Sequence, residues 1–161
     1  EQLLGELMSK KSAGLLLYRN NSGRLEVMLV HPGGPLWAGK DEGIWSIPKG
    51  EFQDPEEPLA AARREFEEET GMAPVGHFIA LTSVRQPSGK LVFAWAVEGD
   101  FDPAVLKSNT FSMEWPVNSG QQQEFPEVDR AVWFPIDIAM RKILIGQVPL
   151  LVELQKRLKL S

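Results

Sequence analysis

The sequence predicts an α/β (α+β) domain in which a mixed β-sheet is covered by helices. Apolar segments with strand character lie before and after one strong central helix, and apolar residues at helical spacing close the chain. Elements in that order bury their apolar faces when helices pack on a sheet. The 161 residues fit one domain, spanning 1–161, with a single sizeable core.

The first two predicted strands lie in the segment SAGLLLYRNNSGRLEVMLVHP. Ser12–Arg19 and Leu25–His31 are rich in apolar and β-branched residues, and the NNSG between them supplies the chemistry of a tight turn. From Gly33 to Pro55 the chain contains many Gly and Pro residues, which predicts a long loop. A loop of that length is more often functional than idle.

The strongest helix prediction falls in EEPLAAARREFEEETGM, directly after that loop. Leu59–Glu69 consists of good helix formers, and Gly71 is typical of the residue that ends a helix. The sequence therefore predicts a short, well-defined helix in the middle of the chain.

The second half of the chain predicts a further hairpin, a strand and a closing helix. VGHFIALTSVRQ and LVFAWAVEGD flank PSGK as a hairpin would, and DRAVWFPI is typical of a strand. Between them, Phe101–Phe125 predicts irregular structure with a short helix or an edge strand. Apolar residues in Asp137–Leu160 recur at helical spacing, and Gly146 and Pro149 predict an interruption.

Composition excludes several classes of function. The net charge of -5 and the absence of a long Lys/Arg run argue against bulk nucleic-acid binding. The chain has no cysteine, which excludes disulfides, thiolate metal sites and a cysteine nucleophile. No apolar run approaches about 18 residues, and the first residues, EQLLGELMSK, lack the layout of a signal peptide. We therefore expect a cytoplasmic protein that does not cross a membrane.

The stretch RREFEEETG concentrates negative charge on the predicted helix. At 100° per residue, Glu69 lies about 40° to one side of Glu65 and Glu68 about 60° to the other, whereas Glu67 points away. An apolar stripe lies beside this face and consists of Leu59, Ala62 and Phe66. Carboxylates beside buried surface repel each other strongly unless a cation lies among them.

Two interpretations of this acidic face follow. One is a solvated helix surface, because exposed Glu is common. The other is a site for Mg²⁺ or Mn²⁺, the cations that carboxylate oxygens select. The Lys49 of IPKG, at the end of the flexible loop, favours the second, because metal ions and a lysine together suit a pyrophosphate ligand.

The spacing of these residues resembles the Nudix box at every specified position from Gly50 to Met72. The pattern runs Gly50, five residues, Glu56, seven residues, then REFEEETGM. The resemblance implies the Nudix fold, an α/β/α sandwich around a mixed sheet. It also implies hydrolysis of a nucleoside diphosphate linked to another moiety, with Mg²⁺ or Mn²⁺ as the cofactor.

The resemblance also implies roles for single residues in the box. Glu65, Glu68 and Glu69 correspond to metal ligands, and in some members the carboxylate equivalent to Glu65 activates water. Arg64 corresponds to a residue that orients these carboxylates. The residues that shape the loop–helix–loop are Gly50, Glu56 and Gly71.

Outside the box, Glu127 resembles an additional metal ligand or base that several Nudix hydrolases keep. The alternative interpretation of Glu127 is an ordinary surface carboxylate. Glu124 is the second candidate for the additional metal ligand or base. Lys49 is predicted to contact phosphate. Trp45 is predicted to contact the substrate base, with core packing as the alternative. Side chains expected to have no catalytic role are Arg85 and Lys90, as exposed residues, and His31 and His77, as strand histidines.

The segment GIWSIPKGEF resembles the start of the box in Nudix hydrolases that act on diadenosine polyphosphates. It favours a dinucleoside polyphosphate as the small-molecule nucleotide substrate. The alternatives are ADP-ribose or another nucleotide sugar, and an oxidised nucleoside triphosphate. A nucleotide-binding module without catalysis is a further alternative, although such proteins usually lose acidic residues from the box. The sequence leaves open whether the protein is a monomer or a homodimer.

Overall fold

The computed structural model describes residues 10–159, and the segment assessed for a signal peptide lies almost wholly outside this range. No helix within the described part is long and apolar enough to span a membrane. The described residues form nine strands and three α-helices: β1 Lys11–Asn21, β2 Arg24–Pro32, β3 Lys49–Phe52, α1 Pro58–Thr70, β4 Ile79–Ala80, β5 Val84–Arg85, β6 Leu91–Glu98, β7 Thr110–Glu114, β8 Gln122–Pro126, β9 Val128–Pro135, α2 Ile136–Lys142 and α3 Val148–Lys159.

The central sheet is mixed, as predicted. In the described part of the chain it contains seven strands, with the main order β4-β6-β1-β2-β9. Strand β1 lies parallel to β6 and antiparallel to β2 and β3, while β5 pairs with β6. Strand β3 pairs with the start of β1 and β2 pairs with its end, and the segment just before β3 joins the two, because Ser46 pairs with Val30 of β2.

Helices cover both faces of the sheet, which confirms the predicted α/β/α sandwich. Alternate residues of β1 point to opposite faces, so Leu15 and Leu16 belong to different apolar clusters. Leu15 packs with Phe66 of α1, and Leu16 packs with the cluster that includes Leu151 of α3.

Helix α1 confirms the helix predicted for Leu59–Glu69, with one more residue at each end. Pro58 occupies the first turn, where a missing N–H costs nothing. At the other end Gly71 adopts φ 81°, and its N–H donates to the Glu67 carbonyl at 2.8 Å. The apolar side of α1 buries Ala62 and Phe66 against the sheet.

Replacing Gly71 by Ala is expected to cost about 1 kcal/mol of stability, because a left-handed φ strains a residue with a Cβ. The nearest atom to that Cβ would be Lys107 Cβ at 3.5 Å, so steric overlap adds nothing. The midpoint of urea unfolding should fall with an unchanged slope. Gly71→Asn, which tolerates this conformation better, should lose less. Equal stability of wild type and Gly71→Ala would contradict this account of the helix end.

Two segments differ from the predicted structure. The predicted loop Gly33–Pro55 contains strand β3, which its Gly and Pro content concealed. The segment Phe101–Phe125 contains the predicted short helix, a single 3₁₀ turn at Pro103–Val105, but it then forms most of the hairpin β7–β8, which pairs only with itself among the described strands and was not predicted. Strand β7, TFSME, alternates polar and apolar residues over only five positions, and β8, QQEFP, does not alternate, so the strand signal in this segment is too short to be recognised.

The closing helical region is interrupted near Gly146, as predicted. Helix α2 ends at Lys142, a single turn follows at Ile145–Gln147, and α3 then begins. Pro149 lies in the first turn of α3 rather than in the interruption itself, a position that proline tolerates.

Candidate active site

Three of the four glutamates of α1 lie on one side of the helix but at different depths. Glu69 is buried, with 7% of its surface exposed. The side chain of Glu65 is 15% exposed and that of Glu68 is 41% exposed. Glu67 is exposed on the far side. The carboxylates therefore run from the protein interior to solvent along one flank of the helix.

Glu69 has an unusual environment for a carboxyl group. Its Oε2 atom is buried and accepts no hydrogen bond from any of residues 10–159. The pKa of Glu69 is raised from its ordinary 4.5 to about 8, chiefly by burial and further by the negative charges of Glu65 and Glu127, while Lys49 lowers it. A buried acceptor without a partner costs free energy, so this position calls for a proton or a cation.

Glu65 lies directly over the backbone of Gly50. A Cβ at Gly50 would stand 2.0 Å from Glu65 Oε2, so only glycine leaves room for this carboxylate. Burial raises the pKa of Glu65, the charges of Glu68 and Glu127 raise it further, and Arg64 lowers it. The close approach of helix and strand therefore fixes the position of this carboxylate.

Arg64 connects three glutamates. Its Nε and Nη2 atoms donate to both carboxylate oxygens of Glu56, at 2.8 and 2.9 Å. Its Nη1 donates to Glu65 at 2.9 Å and to Glu68 at 3.3 Å. The paired bonds to Glu56 anchor the guanidinium group, which then orients the other two carboxylates. These are the contacts that the box resemblance implies.

The residues fit a hard divalent cation, although the acidic side chains have not converged. Among residues 10–159, no three Asp, Glu, His or Cys side chains already stand where one ion would join them. The carboxylates of Glu65 and Glu68 instead accept hydrogen bonds from Arg64. The unpartnered, buried Glu69 Oε2 is the observation that a cation would explain, and all the donors are oxygens of the kind that Mg²⁺ and Mn²⁺ prefer.

The structure distinguishes the two carboxylates considered outside the box. Glu127 is near enough that its charge raises the pKa of both Glu65 and Glu69. Glu124 instead accepts a hydrogen bond from Thr110 Oγ1 at 2.9 Å, within the β7–β8 hairpin. Glu127 is therefore the better candidate for a role with the acidic cluster.

Lys49 lies beside the acidic cluster without an ion pair to any described residue. Burial lowers its pKa, and the positive charge of Lys90 lowers it further, partly offset by Glu69 and other carboxylates. Lys90 was predicted to be exposed. Its side chain is instead 24% exposed and forms a salt bridge with Glu51 at 3.0 Å. Two neighbouring lysines beside carboxylates suit a ligand that brings both phosphates and cations.

Trp45 does not lie at the site, and its predicted contact with a substrate base is not supported. It is 2% exposed and packs in the core edge-on to His31 and Phe134. Its indole N–H donates to Asp41 at 2.9 Å. No face of the ring is free for stacking, so core packing, the alternative interpretation, holds.

Comparison with known proteins agrees with this geometry. The family model described as NUDIX domain matches residues 8–151. An 8-oxo-(d)GTP phosphatase of Mycolicibacterium smegmatis is 34% identical over 147 residues, a match that covers 83% of this chain and 37% of that protein. The chain thus spans little more than a third of the length of this curated relative.

Solved structures share the fold at lower sequence identity. An Ap4A hydrolase of C. elegans, in a binary complex, is 20% identical and superposes with a TM-score of 0.65, covering 93% of this chain and 99% of its own. The NUDIX domain of Shewanella oneidensis NrtR, in complex with ADP ribose, is 16% identical with a TM-score of 0.63, covering 93% and 88%. These similarities establish the architecture.

Proposed function

Since the chain belongs to the NUDIX family, we propose that it is a metal-dependent pyrophosphohydrolase of a nucleoside diphosphate linked to another moiety. The observation that carries this proposal is the buried carboxyl of Glu69, which has an unpartnered oxygen and faces the charge of Glu65. A protein without a bound cation keeps such a group at a cost in stability. A cation bound at this site would remove that cost.

Glu65, Glu68 and Glu69 would hold Mg²⁺ or Mn²⁺. A bound divalent cation offsets the charge of a pyrophosphate and lowers the pKa of bound water. Arg64 keeps Glu65 and Glu68 oriented through its anchor on Glu56. Arg64 and Glu56 thus position the metal ligands and need not touch the scissile bond.

Lys49 and Glu127 would act on the substrate and on water. The Lys49 ammonium lies among carboxylates without an ion pair of its own, so it is available to a phosphate oxygen. The Glu127 carboxylate would accept a proton from the attacking water, with Glu65 as the alternative base. The water oxygen bonds to phosphorus while the bond to the bridging oxygen breaks, and no protein residue is modified.

Two substrate classes are supported by different observations. The segment GIWSIPKGEF resembles hydrolases of diadenosine polyphosphates, which favours a dinucleoside polyphosphate. The 34% identity to an 8-oxo-(d)GTP phosphatase favours an oxidised purine nucleoside triphosphate. Both substrates present a phosphoanhydride chain to the same cluster of carboxylates and lysines, so they differ only in what lies beyond it.

Product analysis by mass spectrometry decides between them. The protein would be incubated with Mg²⁺ and a panel of Ap4A, 8-oxo-dGTP, ADP-ribose and unmodified nucleoside triphosphates, in water enriched in ¹⁸O. We expect hydrolysis of one class at a phosphoanhydride bond, with the label in one phosphate product. Nucleotide binding without turnover on the whole panel would favour a binding module and overturn the proposal.

Divalent cations are expected to raise the melting temperature, because they bind the native acidic cluster and not the unfolded chain. At a hundred times the dissociation constant the gain is about 2.7 kcal/mol, or about 5–10 °C for a domain of this size. Differential scanning fluorimetry with Mg²⁺ or Mn²⁺, against Na⁺ at equal ionic strength, measures it. The Glu69→Gln variant should respond much less. A flat response in the wild type would oppose the metal assignment.

A further inference from the structure

Strand β9 contains one more residue than its partner β2 near its start, close to Glu127. The pairing of β2 with β9 runs in register from Glu26 to His31, where His31 lies opposite Arg130. The next residue, Pro32, lies opposite Val128, so Asp129 is the residue added by a β-bulge. Bulges of this kind redirect side chains and are common beside active sites.

A buried histidine holds the bulged residue. His31 is 0% exposed, and its Nδ1 is hydrogen-bonded to Asp129 Oδ1 at 2.9 Å. Its Nε2 is hydrogen-bonded to the carbonyl oxygen of Lys40 at 2.8 Å. The ring is therefore held at both nitrogens. Arg130 Nε also lies 3.5 Å from the same Asp129 oxygen.

Glu127 lies two residues before the bulge, and its backbone is fixed on both sides. Its N–H donates to the Asn109 carbonyl at 2.8 Å, and its carbonyl accepts from the N–H of Gly33 at 3.0 Å. A Cβ at Gly33 would stand 1.9 Å from the Pro126 carbonyl oxygen, so the backbones of these two segments are in direct contact. Its carboxylate pairs with no described residue. The main chain is therefore held while the carboxylate stays available.

We infer that the His31–Asp129 pair is a positioning device that holds the bulge and so directs the Glu127 carboxylate to the acidic cluster. Loss of the bulge would shift the chain before it by one residue, about 3.3 Å along the strand. A shift of one residue also turns side chains to the opposite face of a sheet. This inference rests on the proposed function, because it assigns Glu127 a part in the reaction.

Two substitutions at His31 separate the hydrogen bond to Asp129 from the hydrogen bond to the Lys40 carbonyl. The amide of Asn reaches the position of Nδ1, so His31→Asn keeps the bond to Asp129 and loses the bond to Lys40. The amide of Gln reaches the position of Nε2, so His31→Gln does the reverse. We expect His31→Gln to lower kcat by about 10–100-fold with KM within about twofold, since misplacing a reacting group by 1 Å costs up to about 10²-fold. We expect His31→Asn to keep most activity. The reverse order would overturn the inference.

Asp129→Ala gives a second variant, because this side chain is 30% exposed and can be removed with less damage to the core. It should reproduce the kcat loss of His31→Gln. Thermal melting shows whether each variant is folded at the assay temperature, and kcat is compared among folded variants. A folded Asp129→Ala variant with wild-type kcat would also overturn the inference.

The decisive measurement combines these changes with Glu127→Gln. If His31 acts through Glu127, then His31→Gln should lower kcat in the wild type and leave the Glu127→Gln variant unchanged. Equal fold losses in both backgrounds would show a merely structural role and overturn the inference. Near-wild-type turnover of Glu127→Gln would overturn it too. That outcome would leave the hydrolase proposal standing, because turnover on the nucleotide panel tests that proposal independently.

Discussion

Replacing Glu69 by Gln is expected to lower turnover by about 10²-fold or more and, in the absence of metal, to stabilise the protein. The loss follows because an amide replaces the buried carboxylate at the inner end of the acidic cluster. A bound cation supplies several kcal/mol of charge stabilisation, and each 1.36 kcal/mol is a factor of ten in rate. Steady-state kinetics at saturating Mg²⁺ measures the effect on kcat.

The matched control for this substitution is Glu67→Gln. Glu67 belongs to the same helix and the same run of glutamates, but it is exposed on the far side. We expect its kcat to stay within about twofold of the wild type, since surface changes away from a site rarely matter. Similar activity of both variants would remove Glu69 from the metal site.

The stability gain should depend on pH in a defined direction. Burial raises the pKa of Glu69 from 4.5 to about 8, so the folded state holds a proton that the unfolded chain releases above about pH 4.5. The stability that this proton contributes is fully present below pH 4.5 and is lost as the pH rises through about 8. Gln cannot titrate.

Metal-free wild type and Glu69→Gln should therefore melt at similar temperatures near about pH 4.5, and the variant should melt higher near about pH 9. A difference of 1 kcal/mol corresponds to about 2–4 °C for a domain of this size. Melting curves in EDTA at several pH values, read as the difference between the two proteins, test it. A difference in melting temperature that does not change with pH would show that the pKa of Glu69 is not raised in the folded state.

The box helix was predictable because its signals are local. Helix formers, a glycine at the end and glutamates three and four residues apart all lie within a few turns, and periodicity places them on faces. Periodicity does not give depth. The 100° rule puts Glu65, Glu68 and Glu69 together, but only the packing of α1 against the sheet makes Glu69 buried and leaves Glu68 at the surface.

Other parts of the site depend on contacts between distant segments, and no local pattern reveals them. His31 and Asp129 are 98 positions apart in the chain. Each alone is typical of an ordinary strand or surface residue. The bulge that joins them follows from the register of β2 and β9. Trp45 shows the reverse case, since its place beside the box suggests a ligand contact, while three-dimensional packing buries it.

The second large effect is expected from the smallest change, Gly50→Ala. The new Cβ would stand 2.0 Å from Glu65 Oε2 and 2.1 Å from its Cδ, so the carboxylate must move. The displaced atoms are the end of a flexible side chain, and we therefore expect the fold to lose less than about 1 kcal/mol. A catalytic carboxylate moved by 1 Å costs about 10²-fold in rate.

Gly50→Ala should thus combine a loss of about 10²-fold in kcat with a nearly unchanged melting temperature. Gly39→Ala is the matched control, because a Cβ there meets no atom of the described part of the chain within 4 Å. It should leave both quantities unchanged. A large loss of stability in Gly50→Ala would mean that the strand and the helix, not the carboxylate, absorb the overlap. Full activity would mean that the position of Glu65 is not critical, and the role of the glycine in holding helix and strand together would then be purely structural.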